Sequence, residues 1–238
     1  MTALGAPLLV FAASALAQSN NAPLIDYPSL PAIAASAKGF VAKGWATASK
    51  AEGDLNGDGR SDIALALWPE NLSTKDIHLG QTDLPSYRLV IAFGQVDGSY
   101  RLMLDNKTLM VPPNYSGAYE DILESRSLRI ARGSLDISRE LLRGHYRYRF
   151  RWSDKAFRLI GYEYAGSDGG CISFTSINYL RKRAKLEVMP IGEDRRSGVI
   201  RQVKRGPLPT MNKVATLEFL ADGMRVIGQS PDCPRTNE

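Results

Sequence analysis

The chain has 238 residues, 44% hydrophobic and 23% charged, a balance that fits a folded globular protein with a sizeable core and excludes a disordered chain. Its two cysteines, Cys171 and Cys233, and two histidines, His78 and His145, do not make a zinc site. The net charge of +5 is unevenly placed: residues 143–205 hold fifteen basic and six acidic side chains, so the remainder is net acidic.

In chain order, Met1 to Ala17 carry no charged side chain and contain Leu8-Leu9-Val10-Phe11 followed by Ala15-Leu16-Ala17. This pattern predicts a secretory signal peptide cleaved before Gln18, although the usual Lys or Arg at its start is missing. The apolar run is short of the about 20 residues a membrane helix needs, and no other stretch is a candidate span. The expected location is secreted or periplasmic. Residues 18–38, with Pro23, Pro28 and Pro31, read as an exposed lead-in outside the core, and residues 39–238 as a single β-rich domain. Ala32 to Val41 is a short helix candidate.

Next comes Asp54-Leu55-Asn56-Gly57-Asp58-Gly59-Arg60-Ser61-Asp62, with oxygen side chains at positions 1, 3, 5 and 9 of one tight loop. Calcium takes six to eight oxygens at roughly 2.3–2.6 Å, and Asp54, Asn56, Asp58, Asp62 and the Arg60 carbonyl are spaced to wrap it. Position 12 is Leu65, where an EF-hand places a bidentate Glu, so the expected affinity is weak, about 10⁻⁴ to 10⁻³ M. The residues alone leave Ile63 to Trp68 ambiguous between helix and strand. From Gly53 to about residue 102, the run "GDLNGDGRSDIALAL" followed by "YRLVIAFGQVDGSY" resembles one VCBS/FG-GAP-type repeat, the calcium-loop unit of integrin-like β-propeller blades. The resemblance implies a strand on each side of the loop, Asp54, Asn56, Asp58 and Asp62 as ligands, and Gln95 to Ser99 as the next hairpin turn. A propeller needs several repeats of about 40–60 residues; this pattern occurs once, so a full propeller is not expected.

Beyond the loop the chain reads as strands separated by Gly, Asn, Asp and Ser turns. Arg88 to Phe93 and Tyr100 to Leu104 form a hairpin about Asp97-Gly98, and Leu128 to Ala131 and Leu135 to Ile137 flank Arg132-Gly133-Ser134. Tyr146-Arg147-Tyr148-Arg149-Phe150-Arg151-Trp152 alternates strictly, which puts the aromatics on one face and the arginines on the other. Phe157 to Tyr164 follows the turn Ser153-Asp154-Lys155 as its antiparallel partner. Ile172 to Leu180 and Lys185 to Met189 make another hairpin, and Val214 to Leu220 a last strand; Tyr119 to Arg126 is a second helix candidate. The expected fold is mainly β, with antiparallel sheets in a sandwich or a few stacked blade-like sheets and few short helices. An exported chain meets an oxidising environment, so Cys171 and Cys233 are expected to pair.

Enzyme signatures are weak. Gly166-Ser167-Asp168-Gly169-Gly170 reads better as a turn than as a nucleophile motif, no partner accompanies His78 or His145, and the acidic cluster Glu120, Asp121 and Glu124 reads as a solvated face. Arg147, Arg149 and Arg151 are spaced for anions, and a basic face of this kind suits anionic envelope glycan, lipopolysaccharide or acidic protein. Nucleic acid is not expected, because the interleaved aromatics face away from the arginines. The sequence thus reads as a calcium-binding module of the envelope or exterior, probing as its alternative a secreted hydrolase of glycan or peptide.

Overall fold

The strand predictions can be compared with a computed structural model that describes residues 26–71, 87–110, 127–141, 143–167, 170–204, 206–214 and 233. The signal peptide, the helix candidate Tyr119 to Arg126 and most of the expected strand Val214 to Leu220 lie outside them. The described chain is mainly β, in two antiparallel sheets. The first contains β1 (Ile33–Ala34), β2 (Trp45–Gly53), β3 (Asp62–Pro69), β4 (Tyr87–Gly94) and β5 (Tyr100–Met110), in the order β1-β5-β4-β3-β2. The second is a meander of β6 (Leu128–Ala131), β7 (Ser134–Leu141), β8 (Gly144–Ser153), β9 (Ala156–Ser167), β10 (Cys171–Asn178), β11 (Arg183–Pro190) and β12 (Ser197–Gln202), each paired with its neighbours in sequence.

Turn chemistry sets the hairpins. Arg132 and Gly133, at φ 53° and 68°, join β6 to β7, and Asp154 and Lys155, at φ 49° and 59°, join β8 to β9. Two successive positive φ values match the right-handed twist of the flanking strands. Alternation then decides the faces. Tyr146, Tyr148 and Phe150 of β8 are buried against Ala64, Ala66 and Trp68 of β3 and Leu89, Ile91 and Phe93 of β4, in the core between the sheets. Each large apolar side chain removed from water there contributes about 1.5–3 kcal/mol. At one corner β6 approaches β2, where the Leu128 amide donates to Ser49 Oγ at 3.2 Å.

Every residue of β3 and β4 is buried, because the first sheet is covered on both faces. Ile63, Leu65, Leu67, Val90 and Ala92 point away from the second sheet into a separate cluster with Phe40, Ala34 and Trp45, packed by Tyr27, Leu30 and Ala37. The expectation of an exposed lead-in over 18–38 is therefore corrected for its described part: Asp26, Ser29 and Pro31 are exposed, but the segment lays an apolar cover on the sheet. The helix expected over Ala32 to Val41 is also corrected. It is strand β1 followed by one 3₁₀ turn, Ala37–Phe40. Ten residues containing Gly39 are too few to hold an isolated helix, and pairing of Ile33 and Ala34 with Arg101 and Tyr100 competes for the same backbone. Strand β12, Ser-Gly-Val-Ile-Arg-Gln, was not expected; it has little apolar alternation and is recruited by pairing with β11. Cys171, at the start of β10, is bonded to Cys233, as expected.

Candidate functional site

The loop between β2 and β3 closes a hairpin in which Gly53 pairs with Asp62. Gly57 and Gly59 both sit at φ 81°, the left-handed region that favours glycine. They let the backbone curl about Asp54, whose Oδ1 accepts from the Gly57 amide at 2.7 Å and whose Oδ2 accepts from the Gly59 amide at 2.9 Å. Asn56 Oδ1 accepts from the Asp58 amide, and its Nδ2 donates to Asp58 Oδ2, both at 2.9 Å. Asp58 Oδ1 accepts from the Arg60 amide at 2.9 Å, and Oδ2 also receives the Arg60 guanidinium. The Arg60 backbone bond is the main reason the Asp58 carboxyl titrates below the usual Asp range.

Asp62 behaves differently. It is fully buried, its Oδ2 accepting from the Leu55 amide at 2.8 Å and its Oδ1 from the Gly94 amide at 2.9 Å. The loop is thereby tied to the end of β4, where the Gly94 carbonyl in turn accepts from Arg60 Nε at 3.0 Å. A Cβ on Gly94 would stand 2.5 Å from the Ser61 carbonyl oxygen, so the approach needs glycine. Burial, joined by the nearby charges of Asp58 and Asp54, pushes the Asp62 carboxyl above the usual range despite its two N–H bonds. A raised folded value means that this group's contribution to stability falls as pH rises through it. A cation bound at the loop would relieve that repulsion.

The donor chemistry suits calcium. The loop offers hard oxygens, and a carboxylate has about four acceptor sites, so one N–H bond per oxygen leaves capacity on Asp54 and Asp58. Convergence is less complete: among the described residues no group of three or more His, Cys, Asp or Glu side chains is arranged to hold a metal. Asp62 faces backbone amides, and the Arg60 guanidinium occupies Asp58. Asp62→Ala is expected to cost roughly 2–4 kcal/mol, because it strands two buried amides, with or without calcium. Melting in chelator checks this; a loss seen only with calcium present would make Asp62 a ligand first and a tether second.

The second candidate is the outer face of the seven-stranded sheet. Arg147, Arg149 and Arg151 share it, as alternation required, but two of them have carboxylate partners. Arg149 Nε and Nη2 bind Asp136 on β7 at 2.7 and 3.0 Å, which raises the Arg149 pKa, and Arg147 pairs with Glu163 on β9. Nearby, Lys185 pairs with Glu187 at 2.8 Å, and Arg196 lies 3.8 Å over the Phe174 ring. The positive field is thus weaker than the residue count suggests, and Arg151, exposed on the strand, contributes most of what is left. The three arginines line a groove of about 210 Å³ together with Gly161, Ser176 and Asn178. Glycine and two small polar residues carry no sequence signal of a site; only the strand register assembles them.

Of the residues weighed for catalysis, His145 is exposed on β8, opposite Glu140 and Ala165. His78, Glu120, Asp121, Glu124 and Asp168 lie outside the described residues. No helix among the described residues is long and apolar enough to cross a membrane. No protein-family model, curated protein or solved structure matches the chain, so the repeat resemblance of the calcium-type loop stands on residues 53–102 alone.

Proposed function

We propose that this protein is a binding module of the cell envelope or exterior, a β-sandwich that associates with anionic polymers through the outer face of its seven-stranded sheet and is stabilised by calcium at the Asp54–Asp62 loop. The observation that carries the reading is the placement of Arg147, Arg149 and Arg151 in one row over a polar groove, on a face held rigid by three-strand pairing. The Cys171–Cys233 bond supports an oxidising compartment. Anionic envelope glycan, lipopolysaccharide and acidic protein remain the partner classes that such a face suits. Binding to an immobilised polyanion at low salt is the direct test. It should weaken steeply as ionic strength approaches roughly 0.15 M, where exposed charges are screened beyond about 8 Å; absence of binding at low salt would end the reading.

Calcium enters the same proposal as a stabiliser. Asp54, Asn56, Asp58, Asp62 and the Arg60 carbonyl would hold it, and the ion would compete with the Arg60 guanidinium for Asp58. That competition and the missing position-12 carboxylate both favour affinity near 10⁻⁴ to 10⁻³ M, roughly the range of extracellular modules. An ion bound only by the native state stabilises it by RT ln(1 + [L]/Kd). At ten times Kd this is about 1.4 kcal/mol. Calcium in the millimolar range should therefore raise the melting temperature by a few degrees, and Asp58→Ala should abolish the response. An identical melting curve in calcium and in chelator would remove the ion from the proposal.

A further inference from the structure

The groove on the seven-stranded sheet has a floor set by register. Arg149 on β8 pairs with Gly161 on β9, and Gly161 pairs with Asn178 on β10, so the row across the sheet reads arginine, empty position, asparagine. Neighbouring strands lie about 4.8 Å apart, which leaves a slot about 10 Å wide between the Arg149 and Asn178 backbones. One row along, Arg147, Glu163 and Ser176 are aligned in the same way. The β8/β9 register shifts between Arg149 and Phe150, and Ile160, the unpaired residue of that bulge, adds an apolar wall with Leu180, which is 52% exposed. The resulting volume of about 210 Å³ is smaller than the roughly 300–1,000 Å³ of drug-sized sites and suits one small ring.

Charge narrows the ligand further. Among the five ionisable groups named here, Arg147 is matched by Glu163 and Arg149 by Asp136, so Arg151 is the uncompensated one. Its cross-strand neighbour is another cation, Arg158, whose Asp154 partner is 3.4 Å away and largely exposed. Like charges opposite one another on a sheet repel, and an incoming anion relieves that repulsion. Asn178 Oδ1 already accepts the Arg181 amide at 2.9 Å, which leaves its two N–H donors for a ligand. Glu163 retains acceptor capacity beyond Arg147, and Ser176 supplies a hydroxyl. One net positive charge, neutral donors and acceptors, and a small apolar wall do not match a phosphate chain, which carries charge at every unit and little apolar surface.

We propose that this groove binds a single carboxylated sugar residue, a uronate of an anionic polysaccharide, with the carboxylate at Arg151, ring hydroxyls at Asn178, Ser176 and Glu163, and the C–H face of the ring against Ile160 and Leu180. The inference rests on the polyanion reading above and specifies its ligand. Gly161 makes the two separable. Its backbone is not in the left-handed region, and a Cβ there would meet only Arg149 Cβ and the Ile177 carbonyl oxygen, both at 3.5 Å, so a larger side chain folds normally and fills the slot without altering any charge.

The experiment compares wild type, Gly161→Val and Arg151→Gln for binding to polygalacturonate, dextran sulfate and neutral dextran at low salt, with free galacturonate and free galactose as competitors. Circular dichroism and melting confirm that each variant is folded. The expected result is that Gly161→Val weakens polygalacturonate binding about tenfold or more, equivalent to about 1.4 kcal/mol, while dextran sulfate binding stays within about twofold of wild type. Arg151→Gln weakens both polyanions, and galacturonate competes where galactose does not. Polygalacturonate binding unchanged by Gly161→Val, or equal competition by galactose, overturns the groove assignment and leaves the electrostatic reading standing. Failure of wild type to bind either polyanion overturns both.

Discussion

Asp105→Ala is expected to destabilise the protein by roughly 3–5 kcal/mol, the cost of leaving a buried charge without its partner. Arg88 on β4 is 1% exposed, and its Nε and Nη2 each bind an oxygen of Asp105 on β5 at 2.7 Å. Its Nη1 donates to the Pro28 carbonyl at 2.6 Å, so the same guanidinium fastens the lead-in to the sheet. Arginine does not relieve its burial by losing a proton. Removing the carboxylate therefore forces either water entry or an opening of the cover. The double variant Arg88→Met/Asp105→Leu should recover most of the loss, because an apolar pair of similar volume is often no less stable than a buried ion pair. Urea unfolding of the three variants measures both effects. A single-variant loss below about 1 kcal/mol would show that the pair is solvated in the native state.

Reducing the Cys171–Cys233 bond is expected to cost about 4 kcal/mol, from the chain-entropy relation for a closed loop of this length. The bond closes a separation of 62 residues, and Cys171 is fully buried at the start of β10. A double Cys→Ala variant should match the reduced wild type, since both release the same constraint on the unfolded chain. Melting with and without a phosphine reductant gives the number. A reduced protein within about 1 kcal/mol of the oxidised one would mean that the unfolded chain is already compact enough to keep these ends close.

The strand pattern was legible because a period of two assigns both faces at once: Tyr146, Tyr148 and Phe150 could not enter the core without sending Arg147, Arg149 and Arg151 outward. Hairpins announced by Asp97-Gly98, Arg132-Gly133 and Asp154-Lys155 were legible for an equally local reason, the left-handed or tight backbone such pairs favour. What the arginines touch was not legible. Arg149 meets Asp136 and Arg147 meets Glu163 only once β7, β8 and β9 have taken their register, and the β8/β9 register carries a bulge that no residue type advertises. The loop shows the same division. Its oxygen spacing is local and readable, but Asp62 is indistinguishable in sequence from Asp54 and Asp58, and one of its partners, the Gly94 amide, is 32 residues away. The cover over the first sheet was hidden by composition: a Pro-, Ser- and Ala-rich stretch looks like linker until Tyr27, Leu30, Ala34 and Phe40 are seen to converge on β3 and β4.

That cover makes the choice of N-terminal boundary a question of solubility. A chain shortened to begin after Phe40 would keep the interface between the two sheets yet present Ile63, Leu65, Leu67, Val90 and Ala92 to water as one contiguous apolar face. Faces of that kind drive self-association in soluble proteins. Such a fragment would also lose the two-residue strand β1 that lies beside β5, baring the backbone of an eleven-residue strand to edge-to-edge pairing. A trimmed protein that precipitates would then be reporting the removal of a layer rather than a failure to fold.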